Sequence, residues 1–147
     1  MDESAYRALA SALYNGCWEL LEKPDRTGDE DVELLTIAFT SRYFWLMVGG
    51  PEQWVISDWM VSRVAASLED GALSVAFAQR ANEGALAAGN PDWLVASTAE
   101  GLARAYAANR QTSERDEWYA TAQRLVDALV DAEERALITD QLGTVPE

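Results

Sequence analysis

The chain contains no histidine, a single cysteine (Cys17) and a single lysine (Lys23). Without histidine, neither a Ser/His/Asp triad nor a histidine-ligated metal site can be built. One cysteine allows no internal disulfide and no thiolate cluster, which fits a reducing compartment. Bases are scarce: 11 Lys and Arg stand against 25 Asp and Glu, a formal net charge of -14. That deficit argues against nucleic acid, whose binding rests on neutralising phosphates, and against an anionic membrane surface. No apolar run approaches the ~20 residues of a membrane-spanning helix. The N-terminal stretch carries Asp2 and Glu3 and lacks the basic-then-apolar pattern of an export signal. The protein is accordingly read as cytoplasmic. No stretch alternates with period two, so no sheet is expected.

What is present is a spacing of 41 residues. Shifting Trp59-Met60-Val61-Ser62-Arg63-Val64-Ala65-Ala66 by 41 places it on Glu100-Gly101-Leu102-Ala103-Arg104-Ala105-Tyr106-Ala107. The same shift carries Phe77-Ala78 onto Trp118-Tyr119 and Ala81 onto Ala122. Arginine falls on arginine, small on small and aromatic on aromatic. A fixed period holding two helical stretches predicts stacked helical hairpins, each burying its apolar face against a neighbour. At 147 residues and 49% hydrophobic, the chain suffices for one domain with a sizeable core, spanning residues 1–147.

Helical periodicity and cap chemistry place seven helices. The first runs from about Ser4 to Glu22, broken by Pro24, Thr27 and Gly28. Thr27 with Glu30 reads as a capping box opening the second, which ends near Val48. Gly49-Gly50-Pro51 stops that helix and starts the third, to about Leu68. The fourth covers Ala72 to Ala88 after an Asp70-Gly71 turn. Asn90 is the expected N-cap of the fifth, which reaches Asn109. Ser113 is the expected cap of the sixth, to about Val130, and Asp131 opens a seventh to Leu142. Short connections make antiparallel hairpins of helices one–two, three–four and five–six, with the seventh capping the last.

Two resemblances follow from these residues. Leu102-Ala103, Tyr106, Tyr119 and Ala122, with Val61-Ser62, Ala65, Ala78 and Ala81 one period earlier, resemble the small and aromatic positions of tetratricopeptide repeats. Arg115 and Glu69 depart from that pattern, and the period exceeds the usual ~34 residues because the helices are longer. Asn15-x-x-Trp18-x-Leu20-Leu21, Arg26-Thr27-x-x-Glu30-Asp31, Ser41-Arg42-Tyr43-x-Trp45 and Ser62-Arg63-Val64 resemble a family of small, tetratricopeptide-like bacterial proteins with no assigned activity. Members of that family often carry histidine near the Ser-Arg-Tyr motif. Here Phe39 and Phe44 stand there, so any histidine-dependent activity of relatives is not expected. The expected fold is all-α: a short tetratricopeptide-like α-solenoid.

The first resemblance implies that the leading helix of each hairpin lines a concave face. Trp59, Arg63 and Ser67 then share that face with Glu100, Arg104 and Ala108, and residues four apart stack on one helix side. The functional reading is an arginine-and-aromatic groove gripping a carboxylate. The bland reading is an ordinary intrahelical Glu100–Arg104 pair worth a few tenths of a kcal/mol. Arg42 and Tyr43 lie in an apolar stretch, so Arg42 needs a partner, and Asn15 and Glu19 on the first helix are the candidates: the four either tie helix one to helix two or form one end of a pocket. Tyr106 is read as packing. Asp29, Glu30, Asp31 and Glu33 lack the EF-hand spacing and read as helix N-terminal acids. No metal or cofactor is expected. Of the six tryptophans, Trp54 and Trp59 sit five apart on one helix and must point in different directions.

The leading functional expectation is a protein-interaction module, with homodimerisation as one way to cover the ends of a short stack. The alternative is a metal-free site, or an enzyme, for a small carboxylate-bearing ligand in the same groove. There Glu100 would be the acid or base and Tyr43 or Tyr106 a phenolic donor. A carboxylate beside guanidiniums stays ionised, which weakens the catalytic version. A purely structural role predicts that Arg63 and Arg104 are both fully paired inside the protein.

Overall fold

The computed structural model describes residues 1–87 and 89–147. Seven α-helices make up the described chain: α1 (Glu3–Glu22), α2 (Gly28–Val48), α3 (Pro51–Ser67), α4 (Gly71–Ala85), α5 (Asp92–Ala108), α6 (Thr112–Asp127) and α7 (Ala132–Leu142). No strand occurs among the described residues. Sequential pairs pack as antiparallel hairpins, α1–α2, α3–α4 and α5–α6, and α7 closes against α5 and α6. The protein is an all-α stack of helical hairpins. The leading helices α1, α3, α5 and α7 form one layer, and α2, α4 and α6 the other.

The spacing seen in the sequence is realised element by element. α3 and α5 are 17 residues each, with both ends displaced by 41. Glu69 and Arg110, one period apart at the ends of these helices, both adopt left-handed backbone, φ 61° and 58°. They turn the chain into α4 and α6 where a tetratricopeptide repeat would place glycine.

Local chemistry accounts for most helix ends. Thr27 accepts from the Glu30 amide at 3.2 Å while Glu30 accepts from the Thr27 amide at 3.1 Å, a reciprocal capping box. Asp2, Asp70 and Asp131 cap α1, α4 and α7 through their side chains. Two expected caps differ. Asn90 does not open α5, whose N-cap is Pro91. Instead the Asn90 amide donates 2.8 Å to the carbonyl of Gly84 and 3.3 Å to that of Ala87, stopping α4. An amide that can donate serves the orphan carbonyls of a helix end as readily as it caps a helix start. Ser113 lies inside α6, which begins one residue earlier after Gln111. The expected end of the fourth helix at Ala88 falls outside the described residues.

α3 and α5 are buried on nearly every side, and their small residues let neighbours approach. Gly101 leaves room for an indole: a Cβ there would lie 2.9 Å from Trp59 Cδ1. Gly71, at the start of α4, abuts the end of α5, where a Cβ would lie 2.4 Å from the Cα of Asn109. Buried hydroxyls join the layers. Ser62 and Ser74 exchange hydrogen bonds with each other's carbonyls at 2.8 and 2.9 Å, and Ser41 donates 2.8 Å to the Ala10 carbonyl. Each satisfied bond removes the cost of burying an unpaired polar group.

Candidate functional site

Glu100 is completely buried in the middle of α5. Arg104, one turn along, donates to its Oε1 from Nε at 3.0 Å and from Nη2 at 2.6 Å. Arg63 of α3 reaches the same oxygen, with Nη1 3.6 Å away. The Glu100–Arg104 pair is therefore not a surface ion pair of small worth. It is a desolvated pair, whose rupture strands a buried charge.

The two arginines are held differently. Arg104 also donates to the Gln141 carbonyl at 2.9 Å, to Thr144 Oγ1 at 2.7 Å and to the Thr144 carbonyl at 3.4 Å. Arg63 makes none of these bonds; its buried Nη1 has no hydrogen-bond partner, and neither has Glu100 Oε2. Its guanidinium instead lies 5.3 Å from the Trp18 ring centroid and 5.9 Å from that of Trp59, distances at which a cation is drawn to the ring face. Burial, followed by the positive charge of Arg104, pushes the Arg63 guanidinium down to about 10. Two guanidiniums sharing one carboxylate leave the cluster with one positive charge in excess.

Arg63 and Arg104 line one cavity of about 570 Å³ with Trp18, Ala66, Ser67 and Ala108. Glu22, Glu69 and Arg110 stand there too. A second cavity, of about 440 Å³, lies toward the N-terminal turns of α3 and α5. Its walls are largely apolar: Ile56, Trp59, Trp93, Leu94, Leu137 and Ile138, with Trp18 shared between the two cavities. Trp59 is nearly buried, stacks at 5.9 Å on Trp18 and donates its indole N–H to the Ser97 carbonyl at 3.1 Å. Trp54 points elsewhere, half-exposed, donating to the Trp45 carbonyl at 3.1 Å. Tyr14, on the wall of the second cavity, has its phenol pushed up, chiefly by burial.

The remaining candidates do not join this group. Arg42 is not tied to Asn15 or Glu19. It donates 2.6 Å to Asp58 of α3, which also faces Arg80 at 3.7 Å, and its guanidinium lies 5.3 Å from the Phe77 ring. The expected partners lie within the first hairpin, but α2 also packs on α3, where Asp58 is buried and needs a counter-charge. Tyr43 is exposed beside Phe44, and Asn15 and Glu19 are exposed on α1. These four residues therefore form no common pocket end. Tyr106 packs with Ala78 and Leu102 and accepts a 3.2 Å bond from Gln79.

Four contributors were not foreseen as site residues: Trp18, Glu69, Arg110 and Thr144. The 41-residue spacing links Glu69 to Arg110 and offered a signal for that pair. Trp18 stands 41 residues before Trp59, so the same spacing offered a signal for it, and it reaches the site because α1 leans on α3.

Among the described residues, no group of three or more His, Cys, Asp or Glu is placed to hold a metal ion. The acids Glu30 and Asp31 are engaged with Lys23 and Arg26. Cys17 is buried and its thiol is pushed up to about 12 by burial, so it is not a reactive thiolate. No helix among the described residues is long and apolar enough to cross a membrane. Compared with protein-family models, with curated proteins and with solved structures, the chain gives no match.

Proposed function

We propose that this protein is a binding module that captures an anionic group on the layer formed by α1, α3, α5 and α7, with Arg63 as the anchor. The observation that carries the proposal is the unequal treatment of two repeat-equivalent arginines. Arg104 is held by Glu100, Gln141 and Thr144, whereas Arg63, on the same cavity, has no hydrogen-bonded partner for its buried Nη1. A guanidinium kept charged at such a place is costly to the fold, and an incoming anion offsets that cost.

In this reading the chain resembles the tetratricopeptide family in use as well as in build, works in the cytoplasm and takes a protein or peptide partner, with self-association as one form of that. A small anionic ligand is the second reading. Two pocketed cavities favour it over a smooth trough, and both volumes fall within the ~300–1,000 Å³ common for ligand sites. Neither reading requires catalysis, since no activated nucleophile or tuned acid–base pair lines either cavity.

The test is affinity capture from the native source with wild-type and Arg63→Met baits, followed by mass spectrometry of retained proteins and metabolites. A molecule retained by the wild type and lost with Arg63→Met is the expected result. Identical retention by both baits would remove Arg63 from the site.

A further inference from the structure

We infer that the occupant is a small monocarboxylate with a compact apolar body, its head on Arg63 and its body lying past Trp18 in the apolar cavity. This rests on the reading of Arg63 as an anion anchor and goes beyond it by naming the ligand class.

The charge of the head follows from the buried cluster. Arg63 and Arg104 carry two positive charges against the single negative charge of Glu100. One negative charge completes the balance. With Glu22 and Glu69 set against Arg110 on the same walls, the surroundings add no positive charge, so a monoanion disturbs the balance least, and a dianion such as a phosphate monoester adds twice the charge in a protein of net charge -14. The donors match as well. Arg104 is already committed and Arg63 Nη1 is buried 3.6 Å from Glu100, so a ligand meets the remaining Nε and Nη2 donors of one guanidinium, an edge that a planar carboxylate takes up bidentately.

The body follows from what lies next to that guanidinium. Arg63 sits one turn after Trp59 on α3, and its carbon is 5.3 Å from the Trp18 ring that both cavities share. Beyond Trp18 the walls are mostly apolar, Ile56, Trp59, Trp93, Leu94, Leu137 and Ile138, with the polar Glu134 and Gln141 also lining the cavity. An apolar group there covers indole and aliphatic surface that water wets poorly, at ~25 cal/mol per Å² removed from water. Cavities of about 440 and 570 Å³ suit a compact body rather than a long chain.

The probe is 3-phenylpropionate, titrated by calorimetry and by quenching of tryptophan fluorescence, with 3-phenylpropionamide, phenyl phosphate and acetate as comparisons. The acid should bind at least tenfold more tightly than the amide, the phosphate or acetate. Arg63→Met and Arg63→Gln, each checked for helicity, should bring acid and amide to the same weak affinity. Leu137→Glu, at a largely exposed position on the apolar wall, should weaken the acid at least tenfold without lowering thermal stability.

Equal affinity for acid and amide, or no effect of Leu137→Glu, overturns the inference. So does tighter binding of N-acetyl-Gly-Gly-Phe than of 3-phenylpropionate, which would move the occupant to a chain terminus. If none of these probes binds while capture still depends on Arg63, the ligand class is wrong and the anchor stands. If the acid binds Arg63→Met as well as it binds the wild type, both fail.

Discussion

Hairpins α3–α4 and α5–α6 share a 41-residue register and nearly the same helix lengths, yet they treat the arginine common to both in opposite ways. In α5, the residue one turn before the arginine is Glu100, and the following helix α7 and its tail bring carbonyls and the Thr144 hydroxyl within reach. Arg104 is locked on every side. In α3, the residue one turn before is Trp59, and the chain offers Arg63 two indole faces and a distant share of Glu100. The repeat supplies the position, and the identity of the i−4 neighbour decides whether the arginine is structural or free to act. A stack of copies thus acquires a site where the copies differ.

The largest expected effect tests the structural half of that contrast. Arg104→Met should cost about 3–5 kcal/mol in urea denaturation, because it leaves the Glu100 carboxylate buried with only Arg63 beside it and releases the Gln141 and Thr144 contacts. A loss below ~1 kcal/mol would mean that Arg104 is as dispensable as the contrast makes Arg63.

A second substitution concerns the packing that sets the two arginines side by side. Gly101 is one period after Met60, a core residue with 1% exposure. A Cβ at Gly101 would meet Trp59 at 2.9 Å on Cδ1 and 3.2 Å on Nε1. Gly101→Ala should therefore cost about 1–3 kcal/mol, the usual range for overpacking a filled core, and shift tryptophan emission. Trp59→Phe in the same background should recover part of that loss. Without recovery, the α3–α5 contact does not depend on this indole.

The fold was legible because its signals are local and repeated. Gly49-Gly50-Pro51, the Thr27–Glu30 box and Asp131 act within four residues of where they stand, and the 41-residue spacing carries the rest. Asn90 was misread because one amide serves either end of a helix, and Pro91 at the N-cap of α5 freed it for α4. Of the candidate site, the part on the repeating helices was legible: Trp59, Arg63, Ser67, Glu100, Arg104 and Ala108. Arg42 was misassigned because its partner Asp58 belongs to the next hairpin, and periodicity within one hairpin carries no information about that neighbour. Thr144 comes from the C-terminal tail, which has no counterpart in the repeat, and Trp18 comes from α1, where the 41-residue shift matches Trp18 to Trp59 but sets Glu22 against Arg63. Contacts contributed from outside the period are set by stacking geometry, not by spacing along the chain.

The smallest expected effect is the sharpest test, because its sign differs from that of an ordinary core substitution. Burial and the charge of Arg104 lower the Arg63 guanidinium from 12.5 to about 10. A base whose value falls on folding binds its proton more weakly in the folded state. The cost to the fold is complete at every pH below about 10 and fades only as pH rises from there toward 12.5. Met keeps most of the stem that packs on Trp18 and Trp59 while removing the charge. Loss of cation attraction to the rings, about 0.5–2 kcal/mol, opposes the gain. Arg63→Met should therefore lie between unchanged and ~2 kcal/mol more stable than the wild type in urea at pH 7. The difference should be constant from about pH 6 to 9, where the guanidinium stays charged in both states. A variant that is more stable but no longer binds carries the mark of a residue retained for function. A loss above ~1 kcal/mol would show that Arg63, like Arg104, is satisfied within the chain, and the two hairpins would then differ only in how they are held together.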